Sequence, residues 1–503
     1  MHKTILVGTF LVFSALLALS CGSETKTTDG GNGDAGFDAG FDAGADAGLK
    51  ECLYTPEALA LDKTHKTVDG VAVLPSGRAI TPAGTNLDVG SFSGNMVLSP
   101  DGKTVYISNN GKGTLTLTAV DATAGTVLQK IPAPKNRLFY GLAFSPDGNT
   151  LYAAGGSSGY INVFDVKTPG SAKLLTSYTT TDGFPVGLIM AKDGGRLYAT
   201  QMGSKLVTAI DPSSGNLLGS GGTGLKPFAM AFSSDGTKLY TANVAGNSSG
   251  FTGSVTILQL PGLATIKSID VGKNPSFILG DPSRKILYVL AADQDTIDVI
   301  DETTDTIVKT ASLLGAGESA PSVTPLGAAL SPDGKTLFVA SASRNSVDVL
   351  DAAALTFKGS IPVGWYPNAV TVSPDGKKLF VLNAKGDGTG SNADGSDIDE
   401  KIGGTLSIVD VPSDAQLVDL TKKAQVNNIR PTTFFPAEQC KGSAFPIPFG
   451  IGEASPIRNI IFILKENRTF DQVFGDFNGA DVDPDLLMFG EEVTPNHHKL
   501  ARE

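Results

Sequence analysis

Short apolar runs interrupted by Asp-Gly turns recur along most of the chain: SPDGKTVYIS from Ser99, SPDGNTLYAA from Ser145, AKDGGRLYAT from Ala191, SSDGTKLYTA from Ser233, DPSRKILYVL from Asp281, SPDGKTLFVA from Ser331 and SPDGKKLFVL from Ser373. Successive signatures lie 46, 46, 42, 48, 50 and 42 residues apart. Each follows an apolar run, such as Gly141 to Phe144 or Gly327 to Leu330, which predicts a first strand. The Asp-Gly pair supplies a positive-φ hairpin turn, and the Leu/Val-Tyr/Phe run a second strand. A third, alternating strand ends in Asp165, Asp211, Asp301 or Asp351. Four short antiparallel strands per period make one propeller blade, so seven signatures predict an all-β, seven-bladed β-propeller. Val71 to Ile80 is expected to complete the last blade, which would remove the free sheet edges.

The repeats resemble the YVTN or YncE-type β-propeller family from about Val71 to Leu420. Blade five departs from the pattern, with Asp281-Pro282-Ser283-Arg284 in place of SPDG, which alters its turn but not the blade. LPSGRAITPAG from Leu74 and the stretch from Asn383 to Pro412 are similar to the subgroup in which such a propeller precedes an alkaline-phosphatase-superfamily phosphoesterase. Composition agrees with a turn-rich β architecture, since the 503 residues include 60 Gly and 28 Pro. A net charge of −12 without any basic stripe argues against a nucleic-acid partner.

The N-terminus has the layout of an export signal: Lys3, an apolar stretch from Ile5 to Leu19, then Ala-Leu-Ser-Cys ending at Cys21. That ending resembles a bacterial lipobox, which implies a lipid on Cys21; the alternative is an ordinary cleaved signal with Cys21 near the cut. Acyl chains at about 0.8 kcal/mol per buried methylene would hold the protein on a membrane, and Gly22 after the Cys favours the outer membrane. From residue 22 to 50 a polar tract carries Asp34, Asp38, Asp42 and Asp46 at intervals of four, a composition that cannot bury a core and reads as a tether. With Cys21 acylated, Cys52 and Cys440 either form a disulfide, worth roughly 4–5 kcal/mol in the chain-entropy treatment, or remain two separate thiols.

Two Gly-Ser patterns, at Gly155 to Gly159 and Gly246 to Gly250, match a nucleophile elbow, but each follows a propeller strand with no helix behind it and reads as a loop. Asp394, Asp397, Asp399 and Glu400 read as a solvated insertion in blade seven. The tail is different. Ile460 to Leu464 is a β-branched run with the profile of a buried parallel strand, and it leads into Glu466-Asn467-Arg468-Thr469-Phe470-Asp471.

That hexad resembles the ENRSFD or ENRTFD motif of bacterial phospholipase C and acid phosphatase-like phosphoesterases, and the likeness extends to Glu503. The resemblance implies that Glu466 and Asn467 are ligands of a divalent metal ion, that Arg468 and Asp471 brace the loop, and that His497 or His498 supplies an active-site imidazole. The alternative for the two His residues is a surface pair. The family's nucleophile and its later pair of Asp ligands match no residue here, so the segment from 457 to 503 is expected to be an incomplete, truncated α/β phosphoesterase domain, inactive by itself.

The expected organisation is a signal peptide at 1–21, a tether at 22–50, the propeller at 51–430, a linker at 431–456 and the phosphoesterase segment at 457–503. The implied function is hydrolysis of a phosphate ester by an exported, outer-membrane-anchored protein facing the periplasm or cell surface. The competing reading is a non-catalytic propeller that binds or scaffolds, with a vestigial tail. A propeller enzyme of the lactonase-like kind ranks below both, because the blades show no acid/base or metal-ligand cluster. Metabolic labelling with a fatty-acid analogue tests the anchor: label is expected on the wild type and absent from Cys21→Ser, and undiminished labelling of that variant removes the anchor.

Overall fold

The computed structural model describes residues 71–74, 78–111, 113–180, 183–246, 252–316, 318, 320, 322–388, 402–428, 457–463, 468, 470–478, 482, 484 and 487–502. They fall into two compact units, one within 71–428 and one within 457–502.

The first unit grows from its turns. In blade one the Ser99 N–H donates to the Thr104 carbonyl and the Gly102 N–H to the Ser99 carbonyl, both at 2.8 Å, so five residues join the first and second strands. Only Gly102 takes the left-handed backbone, at φ 71°, which is what a glycine permits at no steric cost. Asp101 has a different task. Its Oδ1 accepts from the Ser99 hydroxyl at 2.6 Å and the Lys103 N–H at 3.1 Å, while Ser99 Oγ accepts from the Thr104 N–H at 2.9 Å. Blades two, four, six and seven repeat this clasp. The Ser hydroxyls, followed by backbone N–H groups, hold these Asp carboxyls below the ordinary range, at about 2 for Asp147 and Asp235. A carboxyl shifted downward stabilises the fold above its unfolded pKa, and that contribution is lost as pH falls through the folded value. In blade five Asp281 takes both parts: Oδ1 accepts from Ser283 and from the Arg284 N–H, and Oδ2 pairs with the Arg284 guanidinium, which also donates to the Gly334 carbonyl of blade six at 2.7 Å.

The aspartates that end the third strands also serve turns. Asp121, Asp301 and Asp351 each accept the N–H groups two and three residues on, capping the connection to the outermost strand.

Seven four-stranded antiparallel sheets result. Blade one consists of Ser93–Leu98, Thr104–Asn109, Thr116–Asp121 and Thr126–Pro132, from the centre outward. The innermost strand of every blade touches that of the next, all the way round to Trp365–Val372 against Ser93–Leu98. The core lies between blades. Tyr106, Leu117 and Ile131 of blade one, for example, pack on Leu142, Leu151 and Phe164 of blade two. The signature tyrosines tie these layers together: buried Tyr106, Tyr152 and Tyr288 donate to the carbonyls of Ser171, Pro212 and Ala352 in the following blade, and Tyr240 to the Asp305 carboxylate. Close approach near the axis demands a glycine at Gly141, whose N–H donates to the Val186 carbonyl at 2.8 Å and where a Cβ would stand 2.2 Å from that oxygen.

The ring closes with a strand other than the one expected. Thr85–Ser91, not Val71 to Ile80, pairs with Gly403–Asp410 as the outermost strand of blade seven, with Leu87 opposite Leu406. The earlier stretch forms a hairpin of its own from Ala72–Val73 and Ala79–Ile80. Two-residue strands cannot run the length of a blade edge, whereas Thr85–Ser91 places Leu87 and Val89 on the closing core with Phe380, Met96 and Ile107. At the axis Asn368 completes the seal: buried, it donates from Nδ2 to the carbonyls of Ser93 at 2.9 Å and Gly94 at 2.8 Å.

A helix absent from the sequence-based expectation follows blade seven. α1, Asp414–Asn428, covers the outer strand of blade six, Phe357–Pro362, through Leu417 and Thr421. Its start is a capping box, in which Gln416 Oε1 accepts from the Ser413 N–H and hydroxyl at 2.9 Å.

Closure at the axis is testable. Asn368→Ala strands two buried carbonyls and is expected to destabilise the propeller by about 1–3 kcal/mol in chemical denaturation. The exposed variant Asn216→Ala is expected to change stability by less than about 0.5 kcal/mol, and equal effects of the two would show that the axial bonds do not seal the ring.

Candidate functional site

Two places hold chemistry-bearing side chains: the end of the propeller channel where the innermost strands begin, and the C-terminal unit. The opposite end of the channel carries the SPDG turns. A cleft of about 360 Å³ lies there between blades one and two, lined by Ser99, Asp101, Tyr106, Phe144, Asp147 and Asn149. Its two carboxylates are already engaged by their own turns.

The strand-start end, here termed the mouth, is built differently. Phe92, Lys226, Asn274, Thr324 and Tyr366 each directly precede an innermost strand or its proline, and all five have left-handed backbones with φ between 46° and 63°. In four of them the following Pro227, Pro275, Pro325 or Pro367 disfavours the right-handed helical conformation at that residue. The left-handed turn aims a carbonyl at the neighbouring loop: Phe92, Lys226, Asn274 and Thr324 accept from the N–H groups of Asn110, Val244, Ala292 and Ala342. For residues such as Phe, Tyr and Thr this conformation costs about 1–3 kcal/mol each.

Blades two to four give the mouth an aromatic arc, in which Phe139 meets Phe184 at 5.5 Å between ring centroids and Tyr140 meets Phe228 at 4.7 Å. Burial pushes the Tyr140 hydroxyl pKa far upward, so it stays a neutral phenol. Blade five contributes Asp293. Partial withdrawal from water raises its pKa; the hydrogen bond from Asn274 Nδ2 at 3.0 Å opposes that rise, and the nearby Asp295 adds to it.

In the C-terminal unit, α2 (Phe470–Phe474) and α3 (Pro495–Arg502) meet around His498. Its ring is wholly buried beside Phe474 and Phe477. Nε2 lies 2.7 Å from Asp476 Oδ1 and Nδ1 lies 3.0 Å from the Thr494 carbonyl. Burial alone pulls the imidazole pKa down, yet the Asp476 hydrogen bond, the Thr494 carbonyl and the charges of Asp476 and Glu491 outweigh it and leave the value raised. Asp476 moves the opposite way, lowered by the Glu491 N–H and then by His498. The two histidines are therefore no surface pair: His498 is a buried clamp between helices, and His497 is exposed. Arg468 stands over the Phe489 ring at 5.0 Å, and Asp471 lies in the first turn of α2.

Glu466 and Asn467, the two implied metal ligands, lie outside the described residues, as do Cys21, Cys52, Cys440 and the acidic run from Asp394 to Glu400. The strand expected from Ile460 to Leu464 is not formed over its described part. Ile460, Ile461, Phe462 and Ile463 are irregular and 83–88 % exposed, because a strand needs neighbours and none is present among the described residues of this unit. Gly156–Ser158 forms one turn between two strands, with Ser158 Oγ donating to the Gly155 carbonyl, so it is a loop as expected; the second Gly-Ser pattern lies mostly outside the described residues. Among the described residues no three His, Cys, Asp or Glu side chains are grouped to hold a metal ion.

Residues 58–168 match the family described as lactonase, 7-bladed β-propeller. Among solved structures, Kuenenia stuttgartiensis hydrazine synthase is similar at a TM-score of 0.53 and 18% identity, over 64% of this chain and 96% of that one. At that identity the likeness shows the fold alone. No curated protein matches the chain. The class defined by the seven sheets is thus a seven-bladed β-propeller with a lactonase-like sequence signature in its first part.

The His498–Asp476 pair has a measurable titration. Its raised pKa means that protonated His498 stabilises the helix contact below the ordinary histidine value of 6.5, with loss as pH rises through the higher folded value. NMR titration of the ring is expected to give a midpoint above 6.5 that falls in Asp476→Asn; a wild-type midpoint below 6.5 would contradict the pairing.

Proposed function

We propose that the protein is an exported, lipid-anchored propeller coupled to metal-dependent hydrolysis of a phosphate ester, with the chemistry seated in the segment that begins at Ile457. The observation that carries this reading is the ENRTFD hexad directly after an apolar run that no described residue buries. Four exposed apolar side chains in a row, three of them Ile, gain by burial, and a strand docked in a sheet there would present Glu466 and Asn467 at its carboxyl end. A carboxylate and an amide oxygen are donors suited to a hard divalent cation, which would carry phosphate oxygens and offset their developing charge. The clamp around His498 supports the reading in a different way: Asp476 and Thr494 fix the ring's orientation, while His497, one residue away, stays free to meet solvent.

The propeller supplies rigidity and recognition in this arrangement. A purely binding propeller is the second reading, favoured by the strained mouth and by every blade acid so far described serving a turn or a strand contact. Lactonase-type hydrolysis within the ring has the match of residues 58–168 on its side. Against it stands the want of a grouped ligand set among the described residues.

The test uses the natural full-length gene product from the membrane fraction with p-nitrophenyl phosphate and its bis-ester. Hydrolysis is expected to stop on chelation, and Glu466→Ala is expected to lower turnover by about a hundredfold or more, with the tether variant Asp38→Ala unchanged. Hydrolysis that survives both chelation and Glu466→Ala would move the active site elsewhere, and complete inactivity of the wild type would leave the binding reading in its place.

A further inference from the structure

Blade seven departs from the other blades at the mouth. The innermost strands of blades three to six begin at a proline, Pro185, Pro227, Pro275 and Pro325. In blade seven the strand starts two residues before its proline, at Trp365, and its partner Lys378–Gly386 runs to nine residues where Lys238–Asn243 has six. Two register shifts lie in this pairing, at Trp365/Pro367 and Pro367/Ala369. Such bulges re-aim side chains at the rim of a sheet. Just past the extended strand Asp387 accepts from Asn86 Nδ2 of the closing strand at 2.8 Å, so the overrun also touches the seam of the ring.

What the extension carries is Trp365, Tyr366 and Lys385. Lys385 Nζ lies 5.0 Å from the Trp365 ring centroid and 4.7 Å from that of Tyr366. No carboxylate among the described residues stands within ion-pair distance of it. The rings are themselves held: Ala72, Leu74 and Ile80 of the N-terminal hairpin pack behind Trp365, and Ala292, Leu326 and Ala342 behind Tyr366. Tyr366 is kept in its left-handed conformation, and its N–H donates to Asn345 Oδ1 at 3.1 Å. Aromatic faces hold an ammonium without neutralising it.

We propose that the mouth of the propeller at blade seven is a binding site for a small organic anion, a carboxylate or a phosphate monoester with an apolar body, whose charge is met by Lys385 Nζ and whose body rests on Trp365 and Tyr366. The site is independent of the hydrolytic reading of the C-terminal segment. Withdrawal from water lowers the Lys385 pKa, a cost that an arriving anion would offset.

The chain has one tryptophan, Trp365, so its emission reports on this site alone. Cyclohexanecarboxylate and cyclohexyl phosphate are titrated against the full chain, with neutral cyclohexanecarboxamide as the uncharged match. A saturable change in emission with one or both anions is expected, and the tighter of the two names the source of the charge. Lys385→Met is expected to weaken binding about tenfold or more, whereas Lys385→Arg, which keeps a positive charge over the rings, is expected to retain more of the binding than Lys385→Met. Circular dichroism and thermal unfolding matched to wild type establish that both variants are folded. Three results overturn the proposal: no saturable change with either anion, equal binding of the amide, or unaltered anion binding in folded Lys385→Met.

Discussion

Closure of the ring depends on one antiparallel pairing, that of Thr85–Ser91 with Gly403–Asp410. Seven sheets share their cores pairwise around the ring, so blades one and seven each leave a face unburied unless the ring is shut. Blade seven borrows its outer strand from the chain's beginning, and the residues so joined are more than three hundred apart in sequence. Closing so long a loop carries a large entropic cost, and it yields its return all at once. The closing core of Val89, Met96, Ile107, Phe380 and Leu406 forms in the same step as the axial bonds from Asn368. Cooperativity of the ring follows from that coincidence.

Between the blades, stability is distributed rather than concentrated. Tyrosine hydroxyls reach from one blade to the next in the early repeats, and Phe338 and Phe380 take the same buried place in blades six and seven without a hydroxyl to donate. Blades four and five add a charged tie, in which Lys238 donates to Asp305 at 2.7 Å and Ser234 to Glu302. Blade six is instead covered outside by α1. The repeats are alike in hairpin geometry and unlike in how each is fastened to its neighbour, as expected where packing and local hydrogen bonds are interchangeable sources of about a kilocalorie each.

The fold was legible because its information is local. A Ser-x-Asp-Gly clasp followed by an apolar-aromatic pair is written within ten residues, and its spacing counts the blades. Closure was less legible: TNLDVGS contains only two large apolar residues, Leu87 and Val89, and the bulge between Asp88 and Gly90 breaks the alternation that marks a strand. The helix at Asp414–Asn428 announces itself only through the capping box Ser413 to Gln416, a signal the repeat pattern overshadowed. At the mouth, a proline stands six residues before the signature at Pro185, Pro227, Pro275, Pro325 and Pro367, a regularity that could have flagged the left-handed residues before four of them. The Asp476 partner of His498 could not be read from sequence, since the two are twenty-two positions apart, one just after α2 and the other within α3.

The two ends of the ring differ in physical character, and the difference locates function. At the SPDG end each clasp carboxylate accepts from its own hairpin, so polar groups there are satisfied by the elements that carry them and little is left over for a ligand. At the mouth the backbone is held in costly conformations, blades two to four bring an aromatic arc, and the blade whose strands overrun the common pattern delivers an ammonium that no carboxylate among the described residues pairs. Blade seven also closes the ring, so its overrun serves both the seam, where Asp387 accepts from Asn86, and the rim that carries Trp365, Tyr366 and Lys385. Strain stored at the rim of a repeat protein directs the search for a binding site to that rim.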